Sequence, residues 1–67
     1  MQRLLIVAEE LKNMGFDTKI ILKNMCVKVT LKNRKPSKME VETALEQIFD
    51  EIKFNLITSF DGIIIVL

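Results

Sequence analysis

The chain has 67 residues, of which 49% are hydrophobic and 28% are charged, with ten Lys or Arg against nine Asp or Glu. This balance is typical of a globular domain and excludes a disordered chain. A single Cys and no His exclude a disulfide framework and a Cys/His metal site. The length predicts one small domain over residues 1–67. Because so small a domain is only marginally stable and has neither disulfides nor a metal, we expect it to be stabilised by a partner or a second copy.

Both ends of the sequence are apolar but short. LLIVA near the start is followed at once by Glu9 and Glu10, and IIIVL closes the sequence. Both runs fall far below the roughly 20 residues that cross a bilayer, so we expect no membrane anchor. The lone thiol and the lack of a secretory pattern favour a reducing, cytoplasmic setting.

The first predicted element is an amphipathic helix over residues 2–14. Its apolar residues follow the three-and-four spacing of a helix with one buried stripe, at Leu4, Val7, Ala8, Leu11 and Met14. Gly15 should end this helix, because glycine accepts the left-handed conformation that commonly closes a helix.

A β-hairpin is predicted next, over residues 16–31, where apolar residues switch to every second position. A two-residue loop at Asn24 and Met25 is the favoured turn. A loop one residue earlier would place Lys19 opposite Lys28, and such a like-charge pair lowers stability.

A second helix is predicted from about Lys38. Ser37 and Glu40 have the spacing of a capping box, in which the Ser oxygen accepts from a backbone N–H and the Glu carboxylate reaches back. The buried stripe of this helix is expected at Val41, Leu45, Ile48, Phe49 and Ile52.

A second hairpin is predicted in FNLITSFDGIIIVL, because Asp-Gly is the strongest short-range hairpin signal. With Asp61 and Gly62 as the turn, Phe60 would pair with Ile63. An alternative treats residues 54–59 as coil and leaves three strands, in the order α-β-β-α-β. The two halves look weakly similar, since FDTKIIL echoes FNLITSF, but the likeness is too thin to establish a duplication.

These elements predict an α+β fold with two layers, in which two helices cover a small antiparallel-rich sheet in the order α-β-β-α-β-β. One sheet face collects enough apolar side chains to receive both helices. These side chains are Ile20, Leu22, Val27, Val29, Leu31, Leu56, Phe60, Ile63, Ile65 and Leu67.

The opposite sheet face is also partly apolar. Its apolar residues are Ile21 and Cys26 from the first hairpin and Ile57, Ile64 and Val66 from the second. Exposed apolar patches on small proteins usually mark association surfaces, so these five residues are predicted to form a dimer or partner interface. The alternative is that the helices lie on opposite faces of the sheet, or that strand twist buries both sides.

Cations are concentrated between Thr18 and Met39, where no acid occurs. They could neutralise phosphates or contact an acidic partner. However, the chain has no Tyr or Trp on which bases could stack, and lysines also commonly protect edge strands and keep loops solvated. The interpretation of these cations as edge protection and solvated surface is favoured. The candidate contacts are Lys19, Lys28, Lys32, Arg34, Lys35 and Lys38.

No catalytic constellation is evident in the sequence. There is no His to transfer protons near neutral pH, and Ser37 is assigned to a helix cap. Glu42 and Glu46 have the spacing to chelate a divalent ion, but acid pairs on a solvated helix are usually plain surface. Cys26 is more simply a small buried hydrophobe than a reactive thiol. The sequence therefore predicts no enzyme, no cofactor and no metal site.

The predicted function is a non-enzymatic protein-interaction module. The chain would act as a homodimer, or as a small adaptor or inhibitor that binds another protein. Short chains without catalytic residues include regulators carried by phages and mobile elements, which is a base rate and not a property of particular residues. The rival prediction is a nucleic-acid-binding protein that uses the basic hairpin and loop at 19–38.

Overall fold

The computed structural model describes residues 2–50 and 54–66, which form two helices and a four-stranded sheet. In chain order the elements are α1 (Gln2–Asn13), β1 (Asp17–Ile21), β2 (Cys26–Thr30), α2 (Lys38–Ile48), β3 (Asn55–Thr58) and β4 (Ile63–Val66). The strands are arranged β1-β2-β4-β3, and all neighbours are antiparallel. The predicted α+β fold and its α-β-β-α-β-β order are confirmed. Within the described residues, neither helix has the length and apolar run that a bilayer crossing requires.

Helix α1 ends in the glycine-closed turn that the sequence predicts. Gly15 has a φ of 101°, and its N–H donates to the carbonyl oxygen of Lys12 at 3.1 Å, while the N–H of Phe16 donates to that of Leu11 at 3.1 Å. This pair of bonds satisfies carbonyl groups that have no partner within the helix. Met14 was wrongly assigned to the buried stripe. It follows the last helical residue and is exposed.

Helix α2 begins with the predicted capping box. The Ser37 hydroxyl accepts from the Glu40 N–H at 3.1 Å, and the Glu40 carboxylate accepts from the Ser37 N–H at 3.3 Å. Val41 and Leu45 are buried as expected, and Ile48 is half-buried. Phe49, also predicted for the buried stripe, lies just past the helix and packs its ring against Phe54 at 5.6 Å between centroids. Ile52 lies outside the described residues.

The register predicted for the first hairpin is wrong by two residues. Lys19 lies directly opposite Lys28, and a four-residue loop over 22–25 connects the strands, with Met25 in the left-handed conformation at φ 52°. The like-charge pair that argued against this register is compensated. Lys28 Nζ forms an ion pair with Asp61 at 2.8 Å, and Asp61 belongs to the other hairpin.

The register predicted for the second hairpin is also wrong by two residues. Thr58 pairs with Ile63, so Phe60 and Asp61 occupy the tip of the turn. The Ser59 N–H donates to the carbonyl oxygen of Gly62 at 2.8 Å and closes this turn. Gly62 is therefore not a turn residue that needs a positive φ. It is the position where β4 passes close to β2.

Both helices pack on the same face of the sheet. Their buried side chains share one apolar core with four fully buried sheet residues from the two central strands, Val27, Val29, Ile63 and Ile65. Two residues predicted for this core, Leu22 and Phe60, are instead exposed because both lie in the hairpin turns. Leu67, predicted for the same core, lies outside the described residues.

The two halves of the chain repeat the same topology. The strand order is unchanged when α1-β1-β2 is exchanged with α2-β3-β4, and this two-fold relation between the halves exchanges the pair Val27–Ile65 with the pair Val29–Ile63. Lys28 and Ile64, which lie opposite each other in the central strands, are at the centre of this two-fold relation. The helices follow the same correspondence, since their inward-facing positions match one to one: Leu4 with Val41, Val7 with Ala44, Ala8 with Leu45 and Leu11 with Ile48.

Candidate interaction site on the open sheet face

The sheet face opposite the helices, called here the open face, has no helix over it in the described part of the chain. Strand pairing arranges its residues in rows that run across the four strands. The first row is Ile21, Cys26, Val66 and Asn55, and the second is Lys19, Lys28, Ile64 and Ile57. All five residues predicted to form an interface therefore lie on this face, in two adjacent rows.

The apolar side chains of the open face differ in their exposure to water. Ile57 at the sheet edge is 53% exposed, and Ile21, Ile64 and Val66 are half-buried. Cys26 is only 3% exposed although it lies on the open face. It is paired with Ile21 on one side and with Val66 on the other, so two longer apolar residues flank its short side chain in the same row. Cys26 therefore acts as a small apolar residue rather than as an accessible thiol.

The charged side chains of the open face are of both signs. Lys28 and Asp61 form the 2.8 Å ion pair, and the hydrogen bond from Lys28 lowers the pKa of the Asp61 carboxyl. Lys19 lies opposite Lys28, and Asp17 lies two residues before Lys19 on the same side of β1. Two lysines and two aspartates thus flank the apolar residues, and the face carries no strong net charge.

The remaining predicted cationic contacts lie away from the strands. Lys32, Arg34 and Lys35 are exposed in the connection between β2 and α2, and Lys38 is the exposed first residue of α2. Arg34 is bound to the Glu40 carboxylate through both guanidinium nitrogens, at 2.8 and 2.5 Å. The arginine best suited to grip a phosphate is therefore already paired within the chain.

The Arg34 pair also perturbs the titration of Glu40. The hydrogen bonds from Arg34, with a smaller contribution from the Ser37 N–H and against the opposing effect of burial, lower the pKa of the Glu40 carboxyl to about 2. Ser37, Glu40 and Arg34 together fix the beginning of α2. This accounts for part of the basic stretch in structural terms.

An open groove of about 440 Å³ lies between the end of α1 and the β2–α2 connection. Three cations and one acid, Asp17, are among the residues that line it. The lining residues are Lys12, Gly15, Phe16, Asp17, Leu31, Lys32, Asn33 and Arg34. The sequence did not reveal this groove, because its walls come from segments far apart in the chain. In the described residues no three potential metal ligands come together, and Glu42 and Glu46 are exposed on α2.

Phe60 is the functional candidate that the sequence analysis missed. Its side chain is 99% exposed at the tip of the second hairpin, next to the edge strand β3. The Asp-Gly signal placed the turn one step too late and assigned Phe60 to the core. A phenylalanine so close to a turn signal was the only sequence indication of its exposure.

Comparisons with known proteins add no relative: no family model, no curated protein and no solved structure matches the chain.

Proposed function

We propose that the chain is a non-enzymatic protein-interaction module whose open sheet face binds another polypeptide. One observation carries the proposal. Ile57, Ile64 and Val66 lie side by side on a sheet face that no described helix covers. Apolar side chains grouped in this way on a small domain are typical of an association surface.

The arrangement of the open face supports a specific contact rather than simple stickiness. The apolar residues occupy β3, β4 and the end of the first hairpin, whereas the charged pair Lys28–Asp61 lies beside them. Charges of both signs next to an apolar patch fix the orientation of a partner and exclude wrong ones. A partner with an apolar stripe and polar flanks fits this face.

The substitution Ile64→Glu tests the proposed function. It puts a carboxylate in the middle of the apolar rows, where binding of an apolar partner should be lost. Lys28 lies directly opposite, and its ammonium group, which already pairs with Asp61, is close enough to attract the new carboxylate as well, so the fold is expected to persist. The measurement is affinity capture from the source cells, with bound proteins identified by mass spectrometry and folding checked by circular dichroism.

The matched control is Thr43→Glu, which adds the same charge at an exposed position of α2. We expect the wild type and Thr43→Glu to retain the same bound protein and the Ile64→Glu variant to lose it. If a folded Ile64→Glu chain captures the same proteins as the wild type, the open face is not the binding surface.

Nucleic-acid binding is the second candidate, because the cations of the β2–α2 connection are exposed and adjoin the open groove. It predicts binding to DNA or RNA that weakens steeply as salt rises. The measurement is a fluorescence titration with labelled single- and double-stranded oligonucleotides at two salt concentrations. The variant Lys32→Gln with Lys35→Gln should then bind more weakly. Absence of binding even at low salt would remove this candidate.

A further inference from the structure

The two edge strands of the sheet are protected differently. β1 and β3 are the outer strands, and the two-fold relation between the halves makes their positions directly comparable. Where β1 carries Asp17 and Lys19, β3 carries Asn55 and Ile57. Charged residues on an edge strand hinder pairing with another chain. β3 carries no charged residue and no proline, so it is the unprotected edge of the sheet.

The backbone of β3 presents hydrogen-bonding groups at this edge. The Ser59–Gly62 pair is hydrogen-bonded, and in an antiparallel ladder bonded and non-bonded pairs alternate. Ile57 therefore directs its N–H and C=O toward β4. Leu56 and Thr58 direct theirs outward, where the described chain supplies no strand to accept them.

We propose that the outer edge of β3 pairs with β3 of a second copy, so that two chains form a continuous eight-stranded sheet. A register in which Ile57 faces its own counterpart keeps every side chain on its own sheet face, because paired residues in adjacent strands share a face. Leu56 of each chain then pairs with Thr58 of the other. The backbone groups of these two pairs are directed outward. They supply four hydrogen bonds across the two-fold axis that would relate the two copies.

The side chains of β3 are compatible with a second copy of the same strand. The strand has no charge that could face a like charge across the axis. At the axis the two Ile57 side chains form a close, non-hydrogen-bonded pair, which removes each of them from water. Ile57 is 53% exposed in the single chain, so this burial is available to the dimer.

The same register gives the exposed Phe60 a neighbour. Continuing the pairing outward from Ile57 brings Phe60 of one copy to Phe54 of the other. Phe54 is half-buried and already packs against Phe49. A third aromatic ring beside this pair would bury part of a side chain that a single copy leaves in water, and aromatic pairs add stability beyond their buried area.

Pairing through β3 also enlarges the open face. From strand spacing and rise, two strands of five residues and two of four cover roughly 300 Å², whereas a standard interface buries about 800 Å² on each side. In the paired sheet the row containing Ile64 and Ile57 continues into the same row of the second copy. The edge contact itself does not depend on what binds the open face.

The substitution Thr58→Pro tests the proposal. Because the Thr58 N–H points outward, proline at this position removes hydrogen bonds to a second copy but none to β4. Sedimentation equilibrium of the wild type over a concentration series should show a mass that rises from 7.8 kDa toward twice that value. Thr58→Pro should remain at the mass of the single chain. Hydrogen exchange should show slow Leu56 and Thr58 amides only in the paired wild type.

The variant Ile64→Glu serves as the control that separates the two proposed surfaces. It should pair through β3 as the wild type does, and Thr58→Pro should still capture an open-face partner. If Ile64→Glu abolishes the rise in mass while folded Thr58→Pro retains it, copies associate through the open face and the edge proposal is wrong. A wild type that stays at a single-chain mass at every concentration, with fast exchange at both amides, overturns it as well.

If Thr58→Pro fails to fold, Ile57→Lys provides the second test. It restores at β3 the charge that β1 carries at the corresponding position, and it places two lysines face to face at the two-fold axis. The folded variant should be monomeric at every concentration. A dimer that survives this substitution contradicts the proposed register.

Discussion

Gly62 shows how a single residue fixes the relation between two strands. A Cβ built at this position would overlap the carbonyl oxygen of Val29 and lie 2.9 Å from Cγ2 of Thr30. Backbone atoms of a central strand cannot move away as a flexible side chain can. The absence of a side chain at Gly62 is therefore a condition for the pairing of β2 with β4.

Gly62→Ala should lower the free energy of unfolding by about 3 kcal/mol or more, because the methyl group would force β4 away from β2. Gly15→Ala is the control. Its φ of 101° makes alanine unfavourable, but no atom lies within 4 Å of the added Cβ, so a loss of roughly 1–2 kcal/mol is expected. Urea unfolding of both variants measures the difference. Equal losses would show that close packing at Gly62 has no effect.

Among the elements, α2 has the clearest local determinants of where it begins. Ser37 and Glu40 satisfy backbone groups at its first turn, and Arg34 holds Glu40 from the preceding connection. Replacing Ser37 with alanine should lower the free energy of unfolding by about 1 kcal/mol, since one helix-start N–H loses its acceptor. Thermal unfolding followed by circular dichroism measures this change, and Thr43→Ala, at an exposed position within α2, is the control. An unchanged melting temperature for Ser37→Ala would contradict the assignment.

The lowered pKa of Glu40 gives α2 a predicted dependence on acid. Because the folded pKa of about 2 lies below the ordinary value of 4.5, ionised Glu40 contributes stability that is present above pH 4.5 and is lost as the pH falls toward 2. In Glu40→Gln the cap is kept while the charge is removed, so this part of the acid sensitivity should disappear. Urea unfolding at a series of pH values tests it. Parallel losses in the two proteins below pH 4.5 would contradict the prediction.

Local signals in the sequence predicted the elements better than their pairing. The 3.6-residue period of α1, Gly15 and the Ser37–Glu40 spacing each depend on neighbours in the chain, and each was correct. The predicted register of each hairpin was wrong because the residues that determine it belong to the other hairpin. Asp61 compensates the Lys19–Lys28 pair, and Val29 explains why Gly62 lacks a side chain.

At the scale of the whole molecule, the sequence predicted which residues share the open face. It did not predict which strands form the edges of the sheet. Register errors of two residues keep each side chain on its own face, so Ile21, Cys26, Ile57, Ile64 and Val66 still came together. The strand order β1-β2-β4-β3 has no signal in the sequence, and that order decides which strands lie at the edges. The contrast between β1 and β3 therefore became visible only in the folded molecule.

The two-fold relation between the halves leaves unlike residues, Lys28 and Ile64, facing each other at its centre. Two copies of the first half assembled in the same way would bring two lysine ammonium groups together at the centre of their joint sheet, which like-charge repulsion opposes. Two copies of the second half would place an isoleucine at both central positions. Asp61 would then have no lysine with which to form its ion pair. Because the two unlike halves are joined in one chain, the centre of the sheet always pairs a lysine with an isoleucine. Neither half could form this mixed pair with a copy of itself.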